Sequence, residues 1–177
     1  MILLRTARGG VMAYRNKTYI CFDGDTDMKY YRLMQAWSAN QRFSFDFYNA
    51  HDLNSARDTS EVESIKRQLR VRFANSKLLV VLIGENTARL TKFVKWEMEV
   101  ALRLDLPIIG VNLNGSRKRD ALCPPTIRDE LAVYVPFGMK IVEHAMANWP
   151  ASHAKYKSEG KTDYYHYTDA TYMSLGL

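Results

Sequence analysis

Glu97 occupies a helical face otherwise made of Phe93, Val100, Ala101 and Leu104, at i+4 from Phe93 and i−3 from Val100. A carboxylate sits where packing asks for an aliphatic group. The stretch is flanked by two fully apolar runs, Val81-Leu82-Ile83-Gly84 and Pro107-Ile108-Ile109-Gly110-Val111, which read as two buried parallel strands joined by a crossover helix. In an open α/β sheet the first turns of each helix border the carboxyl ends of the strands, and ligands bind in the crevice there. Glu97 lies about one and a half turns in from Thr91, a candidate N-cap, so its carboxylate can reach that crevice while its backbone stays packed. The plainer account is a carboxylate near a helix N-terminus that favours the macrodipole by about 0.3 to 1 kcal/mol. Spacing alone does not separate the two.

A second acidic group follows the first predicted strand, where Thr18-Tyr19-Ile20-Cys21-Phe22 runs into Asp23-Gly24-Asp25-Thr26-Asp27. Acids after a strand invite magnesium with an aspartyl nucleophile or a phosphoacceptor. Both chemistries need a Ser or Thr at the end of one later strand and a lysine at another. Asn112 and Pro136 stand at those ends, with Glu85 the nearest acid after the third strand. The aspartates are better read as turn formers and caps, and no metal is expected. His51 stands alone in a polar loop. No Ser-His-Asp order, Walker loop, Gly-x-Gly-x-x-Gly or His-Glu-x-x-His occurs, which argues against a dehydrogenase.

The elements that must position these groups alternate along the chain. A lead-in at 1–16 with Gly9-Gly10 as a breaker precedes the first strand. A helix from about Met28 to Asn40 turns Tyr30, Tyr31, Met34 and Trp37 inward, and Phe43 to Tyr48 is the next strand candidate. The polar loop from Asn49 to Thr59 is longer than usual α/β connections and is a candidate lid or contact surface. Ser60 with Glu63 caps a helix to about Ala74 whose stripe is Val62, Ile65, Leu69 and Phe73. Strands follow at Lys77 to Ile83, Pro107 to Asn112 and Ala132 to Val135, with helices from Thr91 or Lys92 to Arg103 and from Pro125 to Leu131. A helix from Met139 to Trp149 closes the domain and Pro150 ends it. The expected division is a lead-in at 1–16, a domain at 17–149 and a tyrosine-rich extension at 150–177 that packs on the domain or on a partner. Five strands alternating with helices on both faces give an α/β, flavodoxin-like doubly wound parallel sheet.

Composition bounds the rest. A chain of 177 residues with 47 % hydrophobic and 25 % charged residues supports one domain with a real core. No apolar stretch is long enough to cross a bilayer, and Met1-Ile2-Leu3-Leu4 is too short for a secretory leader. Cys21 and Cys123 have no metal-ligand spacing and suggest no disulfide framework, so a reducing cytoplasm is expected. The net charge of +6 is carried partly by Lys66, Arg67, Arg70, Arg72 and Lys77, on or just after the second helix, where they form a solvated face. Arg117-Lys118-Arg119 offers a perch for a phosphate, but no nucleic-acid motif is present, and neither nucleic acid nor membrane is expected as a partner.

Ser76 before Leu79-Val80-Val81-Leu82-Ile83-Gly84, then Thr87, Val94-x-x-Glu97 with Ala101, and Ile108-Ile109-Gly110-Val111-Asn112 form a pattern. It resembles the Toll/interleukin-1 receptor (TIR)-like domain of ThsB-type proteins in the Thoeris antiphage defence system. The Asp-rich exit of the first strand, and Phe45-Asp46 before the long loop, sit where that family puts its first strand and second-strand loop. The likeness runs from about Thr18 to Tyr134. It implies an enzyme that takes NAD as substrate, with no further cofactor, breaks the nicotinamide–ribose bond, and releases or cyclises the ADP-ribose product as a signal. The catalytic acid of such families matches Glu97, and Phe22, Asp23 and Asp52 of the long loop match positions around the nucleotide. Two departures stand out: Phe93 replaces the family's tryptophan or small residue four positions before the acid, and Phe22-Asp23-Gly24 lacks its serine–tyrosine signature. The implied partners are further copies of the chain, or an effector protein reached through the nucleotide signal. TIR-like domains also act as assembly modules without chemistry, and the long loop and tyrosine-rich tail would then bind partners.

Overall fold

The computed structural model describes residues 17–39, 47–48, 62–90 and 93–177. The lead-in at 1–16, Thr91, and the loop at 49–59 with His51 and Asp52 lie outside the described residues. In chain order the elements are β1 (Thr18–Cys21), α1 (Met28–Ala39), β2 (Phe47–Tyr48), α2 (Val62–Ala74), β3 (Leu78–Ile83), a 3-10 turn (Thr87–Arg89) and α3 (Phe93–Arg103). They continue as β4 (Ile108–Asn112), α4 (Pro125–Arg128), β5 (Ala132–Pro136), α5 (Met139–Ser158), β6 (Tyr165–His166) and α6 (Asp169–Ser174). All strand pairs are parallel, in the order β2-β1-β3-β4-β5-β6. This is the expected α/β flavodoxin-like arrangement, extended by a sixth, two-residue strand.

The sheet reads as continuous apolar runs because both of its faces are covered. Every residue of β3 and β4 is buried. Alternation then sorts the side chains: Ile20, Val80, Leu82 and Val111 face the layer of α1 and α5, whereas Tyr19, Cys21, Leu79 and Val81 face that of α2 and α3. Gly110 in β4 lies against the ring of Tyr134 in β5, where a Cβ would come within 2.5 Å of Cδ1.

The inward stripe of α3 is turned by one residue from the expected one. Val94, Glu97, Met98, Val100 and Ala101 are buried, while Leu104 is 47 % exposed. The cause is the end of the helix. Asp105 takes a φ of 56°, and the N–H groups of Leu106 and Asp105 donate to the carbonyls of Ala101 (3.0 Å) and Leu102 (3.1 Å). This Schellman closure swings Leu106 inward in place of Leu104.

Pro150 does not end α5. The helix runs through it to Ser158, although proline has no N–H for the Met146 carbonyl and its ring crowds that group. Packing on both sides carries the helix through: Val142, Met146 and Trp149 are buried before the proline and His153 after it, and Tyr156 stacks on Tyr165 at 4.3 Å. Tyr165 and His166 pair in parallel with Val133 and Tyr134. The expected boundary at residue 150 therefore falls inside a helix, and the tyrosine-rich extension completes the same fold.

Two basic residues read as a phosphate perch hold that extension instead. The Arg117 guanidinium lies 4.0 Å from the Tyr172 ring and bonds Asp169 at 3.1 Å. Arg119 lies 3.9 Å from the Tyr164 ring and bonds Asp129 and the Arg128 carbonyl.

The Gly110 contact yields a measurable expectation. Gly110→Ala forces its methyl group into Tyr134 and Ile83 and should lower stability by about 1 to 3 kcal/mol, seen as a lower urea midpoint.

Candidate functional site

Helix α3 carries Glu97 into the layer beneath β1, where it is 4 % exposed. The alternation of β1 sends Tyr19 and Cys21 to the same face, and the Tyr19 hydroxyl donates to Glu97 Oε1 at 2.7 Å. The Cys21 thiol reaches the same carboxylate and also lies 3.7 Å from the Val94 carbonyl. Tyr19 is held in place by its ring, stacked on Phe73 at 3.9 Å, and Phe73 in turn meets Trp96 edge-on at 6.3 Å. Burial pushes the Glu97 pKa up to about 7, with the bonds from Tyr19 and Cys21 pulling it back. Burial and the facing carboxylate push the Tyr19 hydroxyl and the Cys21 thiol well up. Near neutrality Glu97 therefore exists as both acid and carboxylate, the condition a proton-transfer or charge-stabilising group needs.

The other expected site residues are placed differently. Phe22 is stacked on Tyr31 at 4.6 Å and belongs to the layer on the opposite face from Glu97. Asp23, 5 % exposed, uses both carboxylate oxygens in its own turn: Oδ1 accepts from the Asp25 N–H at 3.0 Å and Oδ2 from the Thr26 hydroxyl at 2.8 Å. It is the turn former the spacing suggested. Asp52 lies outside the described residues. The structure thus does not bring Phe22 to Glu97, and it adds Tyr19 and Cys21 as partners that sequence reasoning missed. The available signal was a tyrosine at a buried strand position, whose hydroxyl needs a partner.

A cavity of about 310 Å³ opens at the carboxyl ends of β1, β3 and β4, bordered by Thr26, Asp27, Gly84, Glu85 and Asn114. The Asp27 carbonyl accepts from the Tyr30 N–H at 3.0 Å, as expected of a residue starting α1, yet its buried Oδ2 has no partner among the described residues. Burial raises its pKa. Gly84 leaves the room for that carboxylate, since a Cβ there would lie 2.4 Å from Oδ2. Glu97 borders neither this cavity nor a second one, of about 270 Å³, at the other end of the sheet. Among the described residues, no group of three or more His, Cys, Asp or Glu side chains is placed to hold a metal, and no helix is long and apolar enough to cross a membrane.

The Glu97 titration gives a signed pH dependence. Folding raises its pKa from 4.5 to about 7, so the folded chain holds this proton more tightly than the unfolded chain. The resulting stabilisation is full below about pH 4.5 and is lost as the pH rises to about 7, a fall of roughly 3 kcal/mol. Glu97→Gln keeps an acceptor for Tyr19 and should abolish that slope, read from urea midpoints across the pH range. Tyr19→Phe removes the donor and should move the Glu97 titration further up, read from its carboxyl carbon shift.

A crystal structure of a conserved protein from Enterococcus faecalis V583 is 19 % identical over 60 % of this chain and 69 % of that chain, with a TM-score of 0.43. No curated protein matches. Residues 19–118 match the model of the family described as Thoeris protein ThsB, TIR-like domain. That match spans more than half of the sequence and includes β1, β3, α3 with Glu97, and β4, and the chain belongs to the Thoeris ThsB TIR-like family.

Proposed function

We propose that this chain processes NAD, breaking the bond between nicotinamide and ribose to make an ADP-ribose-type signal in antiphage defence, with Glu97 as the catalytic carboxylate. A TIR-like role in Thoeris defence follows from family membership; the reaction is the proposal. The observation that supports it is a carboxylate buried on a helix face made of apolar side chains, where burial raises its pKa to about 7. Cleaving an N-glycosidic bond builds positive charge on the sugar. A carboxylate can stabilise that charge or hold the ribose hydroxyls, and does so more strongly where water is excluded. Nicotinamide leaves readily, so one acid suffices and no metal is needed. The chemistry requires Glu97 to meet the ribose. The segments 49–61 and 91–92, which precede α2 and α3 in the chain, lie outside the described residues.

One observation favours a second reading, a non-catalytic assembly module. Glu97 is bonded by Tyr19, and it lines neither of the two cavities described above. Under this reading the pair is an internal polar contact, and the chain works through protein–protein surfaces.

Nicotinamide release from NAD by the purified chain, measured over a range of protein concentrations, separates the two. The catalytic reading expects release that falls by about 10²-fold or more in Glu97→Gln. Release unaffected by that substitution would remove Glu97 from the mechanism, and self-association without any NAD consumption would leave the assembly reading standing.

A further inference from the structure

The cavity of about 270 Å³ lies where α3 ends and β4 and β5 begin, at the end of the sheet opposite the strands' carboxyl ends. Its floor is apolar, with Leu106 and Ile108 both buried. Its mouth carries both signs of charge: Asp105 and Glu130 on one side of the ledger, Lys157 and Lys161 on the other. His153 also lines it. That side chain is 7 % exposed, its ring lies edge-on to Trp149 at 6.2 Å, and its nitrogens hydrogen-bond to no described residue. Burial lowers its pKa, so at neutral pH the ring offers one N–H donor and one bare acceptor.

We propose that this cavity is a binding site for a small zwitterion with an apolar body, the chemistry of a free large α-amino acid. Charge decides the class. Asp105 and Lys157 neutralise each other, which leaves Glu130 for a cationic group and Lys161, whose ammonium group has donors beyond its bond to Glu159, for an anionic one. Lys157 is paired with Asp105, and Lys161 with Glu159 at 2.7 Å. Glu130 ion-pairs with no described residue and is the acceptor for the ligand's ammonium group. Lys161, with the Thr162 hydroxyl beside it, takes the carboxylate. The apolar side chain rests on Leu106 and Ile108, and His153 supplies the buried polar contact that fixes orientation, the usual division of labour in a small-molecule pocket. Ligand pockets generally run from about 300 to 1,000 Å³, so this one, of about 270 Å³ and just below that range, suits an amino acid and is too small for a dinucleotide. The site touches the foot of the helix that bears Glu97 and the turn leading into β6, but it does not depend on any chemistry at Glu97.

Titrating the ¹⁵N-labelled full chain with L-phenylalanine and L-leucine tests it. At least one should give saturable shifts of the Leu106 and Ile108 amides and the His153 ring, with the Gly84 amide unmoved. Two analogues of L-phenylalanine, 2-phenylethylamine without the carboxylate and 3-phenylpropionate without the ammonium group, should each bind about tenfold more weakly. Glu130 is exposed, so Glu130→Gln keeps the fold; it should weaken the amino acid while 3-phenylpropionate, relieved of a like charge, binds no more weakly than before. Absence of a saturable shift with both amino acids, equal affinity for the singly charged analogues, or indifference to Glu130→Gln would overturn the assignment.

Discussion

The hydrogen bond from Tyr19 to Glu97 is the constraint around which one layer of this protein is arranged. A carboxyl group taken out of water must be bonded or neutralised, and here it is both, bonded by a tyrosine and titrating near neutrality. Charge-assisted hydrogen bonds of this kind are worth about 1.5 to 3 kcal/mol, too little to make a buried acid cheaper than a leucine in its place. Stability alone therefore does not account for an acid at this position.

Holding that pair fixes much of its surroundings. Tyr19 must point to the α3 face, which sets the phase of β1 and with it the sides taken by Ile20 and Cys21. The Tyr19 ring needs a flat partner and finds Phe73, so the end of α2 is tied to the strand it packs on. On the opposite face, Phe22 and Tyr31 make a stacked pair that anchors α1. Each layer thus has an aromatic pair that joins β1, or the residue just after it, to a helix, and the Tyr19–Phe73 pair is the one whose hydroxyl meets a buried carboxylate.

Much of this architecture was legible in the residue pattern, because a sheet covered on both faces writes its strands as unbroken apolar runs, and β3 and β4 are such runs. The position of Glu97 on an inward face was legible for a related reason: in a helix with clear periodicity, a lone acid stands out. Its partners were not, since tyrosine and cysteine in a strand look like ordinary β-formers until the facing helix is in place. Periodicity also misjudged Leu104, because the left-handed turn at Asp105 ends the helix before that residue can turn inward. The segment after Pro150 was opaque because proline usually halts a helix, and a two-residue strand carries no period at all. What rescues both is distant packing, from Trp149, Tyr156 and Tyr165.

The parallel addition of Tyr165 and His166 beside β5 changes how this molecule can meet another. A sheet with an open flank is a template on which a foreign strand can settle. At the β5 flank the backbone groups of Val133 and Tyr134 already have their neighbours from within the same chain, and the strap that supplies them is clasped by two guanidinium–ring contacts. On this side, lateral growth of the sheet from outside must therefore settle on the two residues of β6 themselves, or else begin by prising loose a clasp.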